Sequence, residues 1–288
     1  MARCRKILVT GATGRQGGSV ARSLRSIGVS VVALTRQTDS PAAKHLRAIG
    51  CEIVGGNLSD RRSLDAAVEG CDGVFSVQNY WEKGVGMEGE VLQGRHMIAA
   101  AAEAGISHLV QSTMAIAEDV SDVPHFVSKR RVEEILAESE VPHTLLGTVY
   151  FMENMLDPKM GGTMTIPSLA GSLKKTTRLH LMSYHDIGPV AAELFLNPGE
   201  FLGKRVDIAG DCLTVEQMKH IYHDVTGRNS KWYSLPAFLL RLLAKEFAEQ
   251  LRWQNEHGFC FDAAEVRKRF PALMSFREFI ANHPDLRL

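Results

Sequence analysis

Apolar positions in the first half of the chain follow two alternating rhythms. Short unbroken runs, bounded by glycines and polar turns, are separated by longer stretches with apolar residues three and four apart. An unbroken run of about 4–8 residues reads as a strand buried on both faces, and the wider spacing as a helix with one buried face. The first run is Ile7-Leu8-Val9, followed by a helix with Val20, Ala21, Leu24 and Ile27 on one side. A second strand covers residues 29–35, and a helix at 41–49 is stopped by Gly50. Residues 52–55 make a third strand; Asn57-Leu58-Ser59-Asp60 caps a helix through Leu64, Ala67 and Val68 that ends at Gly70. Strands at 73–77, 108–112 and 143–146 are then separated by an alanine-rich helix at 87–104 and a helix at 128–139. This alternation predicts an α/β protein: a doubly wound parallel sheet of Rossmann type, with right-handed crossovers and helices on both faces.

The rhythm changes after Tyr150. Residues 151–185 read as irregular, with glycines at 161, 162 and 171. A helix at 186–196, a strand at 204–208, a helix at 214–226, a long helical stretch at 236–255 and a short helix near Phe276 follow. The expected organisation is a nucleotide-binding domain at 1–150 and a smaller, mostly helical lobe at 151–288, with room for one more sheet strand from the second half. Such a lobe covers the carboxyl edge of the sheet, where open α/β sheets bind ligands.

Chemistry concentrates at the first strand–helix junction, Gly11-Ala12-Thr13-Gly14-Arg15-Gln16-Gly17. Glycines allow a tight turn and close approach of a phosphate to the backbone. The helix that follows offers N–H groups and the positive end of its dipole to a pyrophosphate. The same residues also suit a plain glycine-rich turn. At the end of the second strand, a site selective for NAD carries an acidic residue for the ribose 2′-OH. Here Thr35-Arg36 stands in that place and Asp39 lies beyond it. A guanidinium matches a 2′-phosphate through paired charge-assisted hydrogen bonds, so the expected cofactor is NADP(H); the competing reading is a solvated loop arginine. Asn57 and Leu58 are expected beside the adenine, and Val77, Gln78 and Asn79 along the cofactor.

Bulk properties narrow the classes. The chain has 288 residues with 33 basic and 33 acidic side chains, a formal net charge of +0. No global field draws it to nucleic acid or an anionic membrane, and no apolar run is long enough to cross a bilayer. The basic runs Lys129-Arg130-Arg131 and Arg267-Lys268-Arg269 lack a recognition-helix context. Five scattered cysteines form no CxxC pair, and the histidines lack metal-ligand spacing, so reduced thiols, a cytoplasmic location and no metal are expected. The first strand begins almost at once, so no signal peptide is expected.

Together with the glycine loop and Thr35-Arg36, the segments Phe151-Met152-Glu153-Asn154 and Ser183-Tyr184-His185-Asp186-Ile187-Gly188 resemble the NmrA-like branch of the atypical short-chain dehydrogenase/reductases. The resemblance covers nearly the whole chain. It implies a Rossmann domain, a small C-terminal substrate lobe and NADP(H) binding. It implies no single function: some members reduce quinones or dyes, others report nicotinamide redox state to a protein partner.

Ordinary members of the superfamily use Tyr-x-x-x-Lys, with both side chains on one helix face. The tyrosine donates a proton as hydride arrives, and the lysine holds the nicotinamide ribose. The matching segment here is His125-Phe126-Val127-Ser128-Lys129, with the lysine kept and histidine in the tyrosine's place. Lys129 reads as a cofactor and catalytic contact, or as part of a solvated basic face paired with Glu133 and Glu134. His125 reads as a proton donor or as a bystander. Ser112 at the end of the fifth strand is a candidate for orienting a substrate carbonyl, or a turn cap. Tyr80 and Trp81 suit stacking on a planar substrate; Tyr150, Phe151 and Asn154 are expected on the opposite pocket wall. The expected function is NADPH-dependent reduction of a small planar or carbonyl-bearing substrate such as a quinone. The rival is a non-catalytic NADP(H) sensor that regulates a protein partner. The apolar run Phe238-Leu239-Leu240 with Leu242-Leu243 leaves room for a homodimer.

Overall fold

Ile7, Leu8 and Val9 are wholly buried, as a central strand with helices on both sides requires. The computed structural model describes residues 4–117, 119–120, 123–157, 162, 165–229 and 235–286. Strands and helices alternate as β1 (Lys6–Val9), α1 (Arg15–Ser26), β2 (Ser30–Thr35), α2 (Pro41–Ala48), β3 (Glu52–Gly55), α3 (Arg61–Val68), β4 (Gly73–Ser76), α4 (Gly86–Glu103), β5 (His108–Met114), α5 (Pro124–Ala137) and β6 (His143–Thr148). Then come β7 (Tyr150–Phe151), α6 (Thr165–Ser172), β8 (Leu179–Met182), α7 (Ile187–Leu196), α8 (Pro198–Phe201), β9 (Arg205–Asp207) and β10 (Asp211–Leu213). The chain closes with α9 (Val215–Thr226), α10 (Ala237–Leu243), α11 (Lys245–Glu256), α12 (Ala263–Arg269) and α13 (Phe276–Asn282).

Seven strands form one sheet in the order β3-β2-β1-β4-β5-β6-β9. β1 pairs in parallel with both β2 and β4, and β2–β3 and β4–β5 are parallel as well. Strand order therefore reverses between β1 and β4, the topological switch point of a doubly wound sheet. Side chains of α3, α4 and α5, including Leu64, Met97, Ile98, Val132 and Leu136, bury one face against Leu8, Val74 and Leu109. On α7, a Cβ at Gly188 would lie 2.4 Å from the Ser19 carbonyl oxygen of α1. The glycine of the Asp-Ile-Gly segment is thus the gap that lets the two helices touch.

The chain divides into two compact units, one of Met1–Met114, His125–Gly147 and Tyr184–Val206, the other of Ala115–Pro124, Thr148–Ser183 and Asp207–Leu288. The second has its own three-stranded sheet, β10-β8-β7. Its core gathers Met152, Met155, Leu179, Leu181, Met218, Tyr222, Phe276 and Phe279.

Several elements differ from the sequence reading. Residues 151–185 are not irregular throughout: they hold β7, α6 and β8. The apolar run Ile166-Pro167-Ser168-Leu169 is short and carries a proline, which hid α6. Residues 158–161 and 163–164, with the glycine at 161, lie outside the described residues. The helical stretch from 236 breaks at Ala244, whose backbone is extended (φ −149, ψ 70), giving α10 and α11. α5 starts at Pro124 rather than Ser128, since proline is well placed in a first turn. On α10, Leu240 is buried while Phe238, Leu242 and Leu243 are exposed.

Candidate functional site

The glycine loop lies at the switch point. Gly11 takes φ +57, a left-handed turn at the end of β1, and a Cβ there would lie 3.0 Å from Val77 Cγ1. Gly14 is the N-cap of α1 in extended conformation; no side chain caps this end and no acidic side chain occupies the first turn. A Cβ on Gly17 would stand 2.4 Å from the Thr10 carbonyl oxygen, so the third glycine lets the helix sit directly on the strand end. Thr10 Oγ1 donates to the Val77 carbonyl at 2.9 Å and accepts from the Val77 N–H at 2.7 Å, tying the ends of β1 and β4 together. Thr13 and Arg15 are exposed on the loop. An anion placed before α1 would face main-chain N–H groups and the positive dipole end with no competing carboxylate.

Beneath the loop runs a buried chain of amides and hydroxyls. Gln78 Nε2 donates to Ser76 Oγ at 2.8 Å, and Gln111 Nε2 donates to Gln78 Oε1 at 2.9 Å. Ser112 Oγ donates to Gln16 Oε1 at 2.7 Å. The Ser112 proton is therefore directed at the glycine loop, and Gln16 is held from the end of β5. Asn79 is exposed just past β4. Asn57 Oδ1 accepts the Ser59 N–H at 3.0 Å within its own turn, and His96 Nδ1 lies 3.1 Å from the Leu58 carbonyl oxygen.

Arg36, at the end of β2, forms an ion pair with Glu82 on the loop between β4 and α4. The same loop carries Tyr80 and Trp81, whose rings lie 5.0 Å apart. His125 approaches them at 5.7 Å and 5.1 Å and touches Phe126 at 4.6 Å. His125 is 8% exposed, whereas Trp81 is 56% exposed and offers an open ring surface.

One turn along α5, Lys129 does not join a solvated basic face with Glu133 and Glu134. Its Nζ donates to Glu90 Oε1 of α4 at 3.0 Å. Arg131 pairs with Glu88, and Glu133 is drawn inward to Thr113 and Arg205. Arg130 does pair within the helix, with Glu133 at 3.9 Å, but Lys129 and Arg131 reach across to other elements, which no spacing within α5 reveals. Glu82 and Glu90 are the polar partners that the sequence reading missed. Glu90 sits in a glycine- and alanine-rich helix with no charge period to mark it.

Tyr150, Phe151 and Asn154 belong to the second unit. Tyr150 and Phe151 pair with Leu181 and Met182, and Asn154 lies in a 3-10 turn, Met152–Met155. Within this unit Ser183 Oγ donates to the buried Glu153 carboxylate, joining the two segments that marked the chain's family. All five cysteines are free. Burial raises the thiols of Cys4, Cys51 and Cys212 and pushes Cys71 up to about 11, the opposite of an activated nucleophile. Among the described residues no cluster of His, Cys, Asp and Glu is built to hold a metal, and no helix is long and apolar enough to cross a membrane.

A glycine loop at the switch point of a doubly wound sheet defines a Rossmann-type α/β protein. The chain belongs to the NmrA-like family, whose sequence profile matches residues 4–280. It is 30% identical over 258 residues, 81% of this chain and 76% of the relative, to the NmrA-like family domain-containing oxidoreductase hkm9 of Aspergillus hancockii. The NADPH-dependent quinone oxidoreductase QOR2 of Escherichia coli, solved with NADPH, matches at a TM-score of 0.78 and 21% identity, covering 96% of this chain and 99% of that one. NmrA, a negative transcriptional regulator solved with NADP, matches at 0.75 and 20% identity over 97% and 95%. At these identities the solved structures establish the fold.

Proposed function

We propose that the protein is an NADPH-dependent reductase of a small planar or carbonyl-bearing organic molecule such as a quinone. The observation that carries this reading is the grouping of Tyr80, Trp81 and His125, with Lys129 one helical turn from His125, in the unit that bears the glycine loop. An exposed indole packed on a histidine, with a lysine one helical turn further along the same helix, suits a flat acceptor that gains negative charge as it is reduced.

The residues fit a dinucleotide. Gly14 leaves no side chain between the main chain and a pyrophosphate, Gly17 lets α1 sit against the strand end, and Thr13, Arg15 and Gln16 rim the same turn. Arg36 suits the 2′-phosphate of NADP(H), and Asn57 and Leu58 the adenine. Val77, Gln78 and Asn79 line the path past β4. When bound, NADPH supplies the hydride. Lys129 uses one of its three ammonium N–H groups on Glu90, which leaves two for ribose hydroxyls or a substrate oxygen. His125 takes the place of the usual tyrosine as proton donor, and Ser112 steadies Gln16. Tyr150, Phe151 and Asn154 belong with the substrate side.

A second reading, an NADP(H)-binding sensor acting on a protein partner, draws on His125: it stands where the phenol is expected and is enclosed by aromatic rings. NADPH oxidation measured across quinones, enones, aldehydes and imines separates the two. The reductase reading expects turnover with at least one class, quinones first. NADPH binding without turnover in any class favours the sensor.

A further inference from the structure

We infer that Glu90 is the positioning residue for Lys129: its buried carboxylate aims the lysine ammonium at the nicotinamide ribose. The inference rests on the cofactor contact proposed for Lys129 and adds a residue outside the usual Tyr-x-x-x-Lys pair.

Glu90 is 0% exposed although it lies on α4, and both of its oxygens are engaged. Oε1 accepts from Lys129 Nζ, and Oε2 accepts from the hydroxyl of Ser128, the residue before it. Ser128 is itself fully buried and also reaches the His125 carbonyl at 3.2 Å. One carboxylate thus grips two consecutive residues of α5 through two different oxygens, which fixes the rotation of this part of the helix as well as the lysine side chain. The grip depends on a close approach of α4 and α5. One turn beyond Glu90, a Cβ at Gly94 would lie 2.6 Å from Val132 Cγ2, so only glycine leaves room for Val132. A buried carboxylate is expensive unless paired and hydrogen-bonded, and an exposed lysine needs no buried partner to stay on a surface. The Lys129 side chain is 20% exposed, so it is not sealed in with its partner, and the ammonium is held on one side by Glu90. Glu90 has no exposed atom to offer a substrate, so any effect on the cofactor passes through the residues it holds, with Lys129 the one that carries a charge.

The test is a double-variant cycle on the full chain with Glu90→Gln, Lys129→Met and the pair combined. Two probes are titrated by calorimetry: NADPH, and 2′,5′-ADP, which lacks the nicotinamide and its ribose. Glu90→Gln is expected to weaken NADPH by about tenfold, the scale of a charge-assisted hydrogen bond, and to leave 2′,5′-ADP unchanged. In the Lys129→Met background the same substitution should have almost no further effect on NADPH. Equal losses for both probes, an undiminished loss without Lys129, or unaltered NADPH binding by a folded Glu90→Gln protein would each overturn the inference. If Glu90→Gln does not fold, Glu90→Asp replaces it, with the same selective loss expected; failure of both to fold assigns Glu90 to the fold and refutes the positioning role. A parent that binds NADPH, shows this pattern and turns over nothing retains the Glu90 assignment and loses the reductase. A parent that binds neither probe loses both.

Discussion

Arg36 and Glu82 make an opposed pair with a direct consequence for cofactor choice. The guanidinium that suits a 2′-phosphate already holds a carboxylate. Arg36→Ala should weaken NADPH by roughly 1.5–3 kcal/mol, the range for a hydrogen bond to a charged group, and leave NADH nearly unchanged. Glu82→Gln should tighten NADPH by at most ~1 kcal/mol, because an exposed ion pair is worth no more than that. Calorimetry with both cofactors checks the two variants; equal affinity of the parent for NADPH and NADH contradicts the role of Arg36. The arginine was legible from its place at the end of a strand. Glu82 was not, because it lies 46 residues away on a loop with no pattern of its own. Lys129 shows the same limit: motif spacing marked the residue, and only the packing of α4 on α5 revealed its partner.

The glycine loop and α1 divide their work between binding and folding. Gly17 has backbone within 2.4 Å of its missing Cβ, whereas the nearest atom at Gly14 is the Gly11 carbonyl oxygen at 3.2 Å. Gly17→Ala should therefore destabilise the protein by about 3 kcal/mol through overpacking. Gly14→Val should stay folded and lose NADPH, because its side chain points where the pyrophosphate must come. Urea melts and calorimetry on the two variants check this; a Gly14→Val protein that binds NADPH like the parent would show that the loop does not cradle phosphate. The strands of the first half were legible because each is a continuous apolar run between glycine turns. The elements after Tyr150 were less so. β7, β8 and β10 span two to four residues each, too short for a period, and α8 and α12 have only four and seven residues. The three strands are placed by pairing with one another in the second unit's own sheet, which local pattern does not encode.

Stability of the whole protein should carry an acid signature. His108 Nε2 lies 2.8 Å from Thr144 Oγ1, whose own proton goes to the Phe201 carbonyl, so the imidazole must be the donor. Its Nδ1 is buried without a hydrogen-bond partner among the described residues. Burial, with a smaller push from His143, lowers this histidine to about 4. The unfolded chain takes up the proton near pH ~6.5, so stability is full above that value and is lost as pH falls toward 4, by about 2 kcal/mol between pH ~7 and ~5. Burial also lowers His180 and adds in the same direction. His108→Gln keeps a donor without a titrating group and should flatten the fall of melting temperature with acid; an unchanged slope would place the effect elsewhere.

Catalysis is tested most directly by following the transferred atom. The parent and Lys129→Met are incubated with NADPH dideuterated at C4; enone, aldehyde and imine products, which keep the transferred atom on carbon, are analysed by mass spectrometry, and for quinones, whose product loses it to water, the rate is compared with that of unlabelled NADPH. A reductase predicts deuterium in the enone, aldehyde or imine product, or slower quinone reduction with the dideuterated cofactor, and a fall of at least ~10²-fold in turnover for Lys129→Met. Absence of label in every enone, aldehyde and imine product, together with quinone turnover that is absent or no slower with the dideuterated cofactor, from a parent protein that binds NADPH, would contradict hydride transfer.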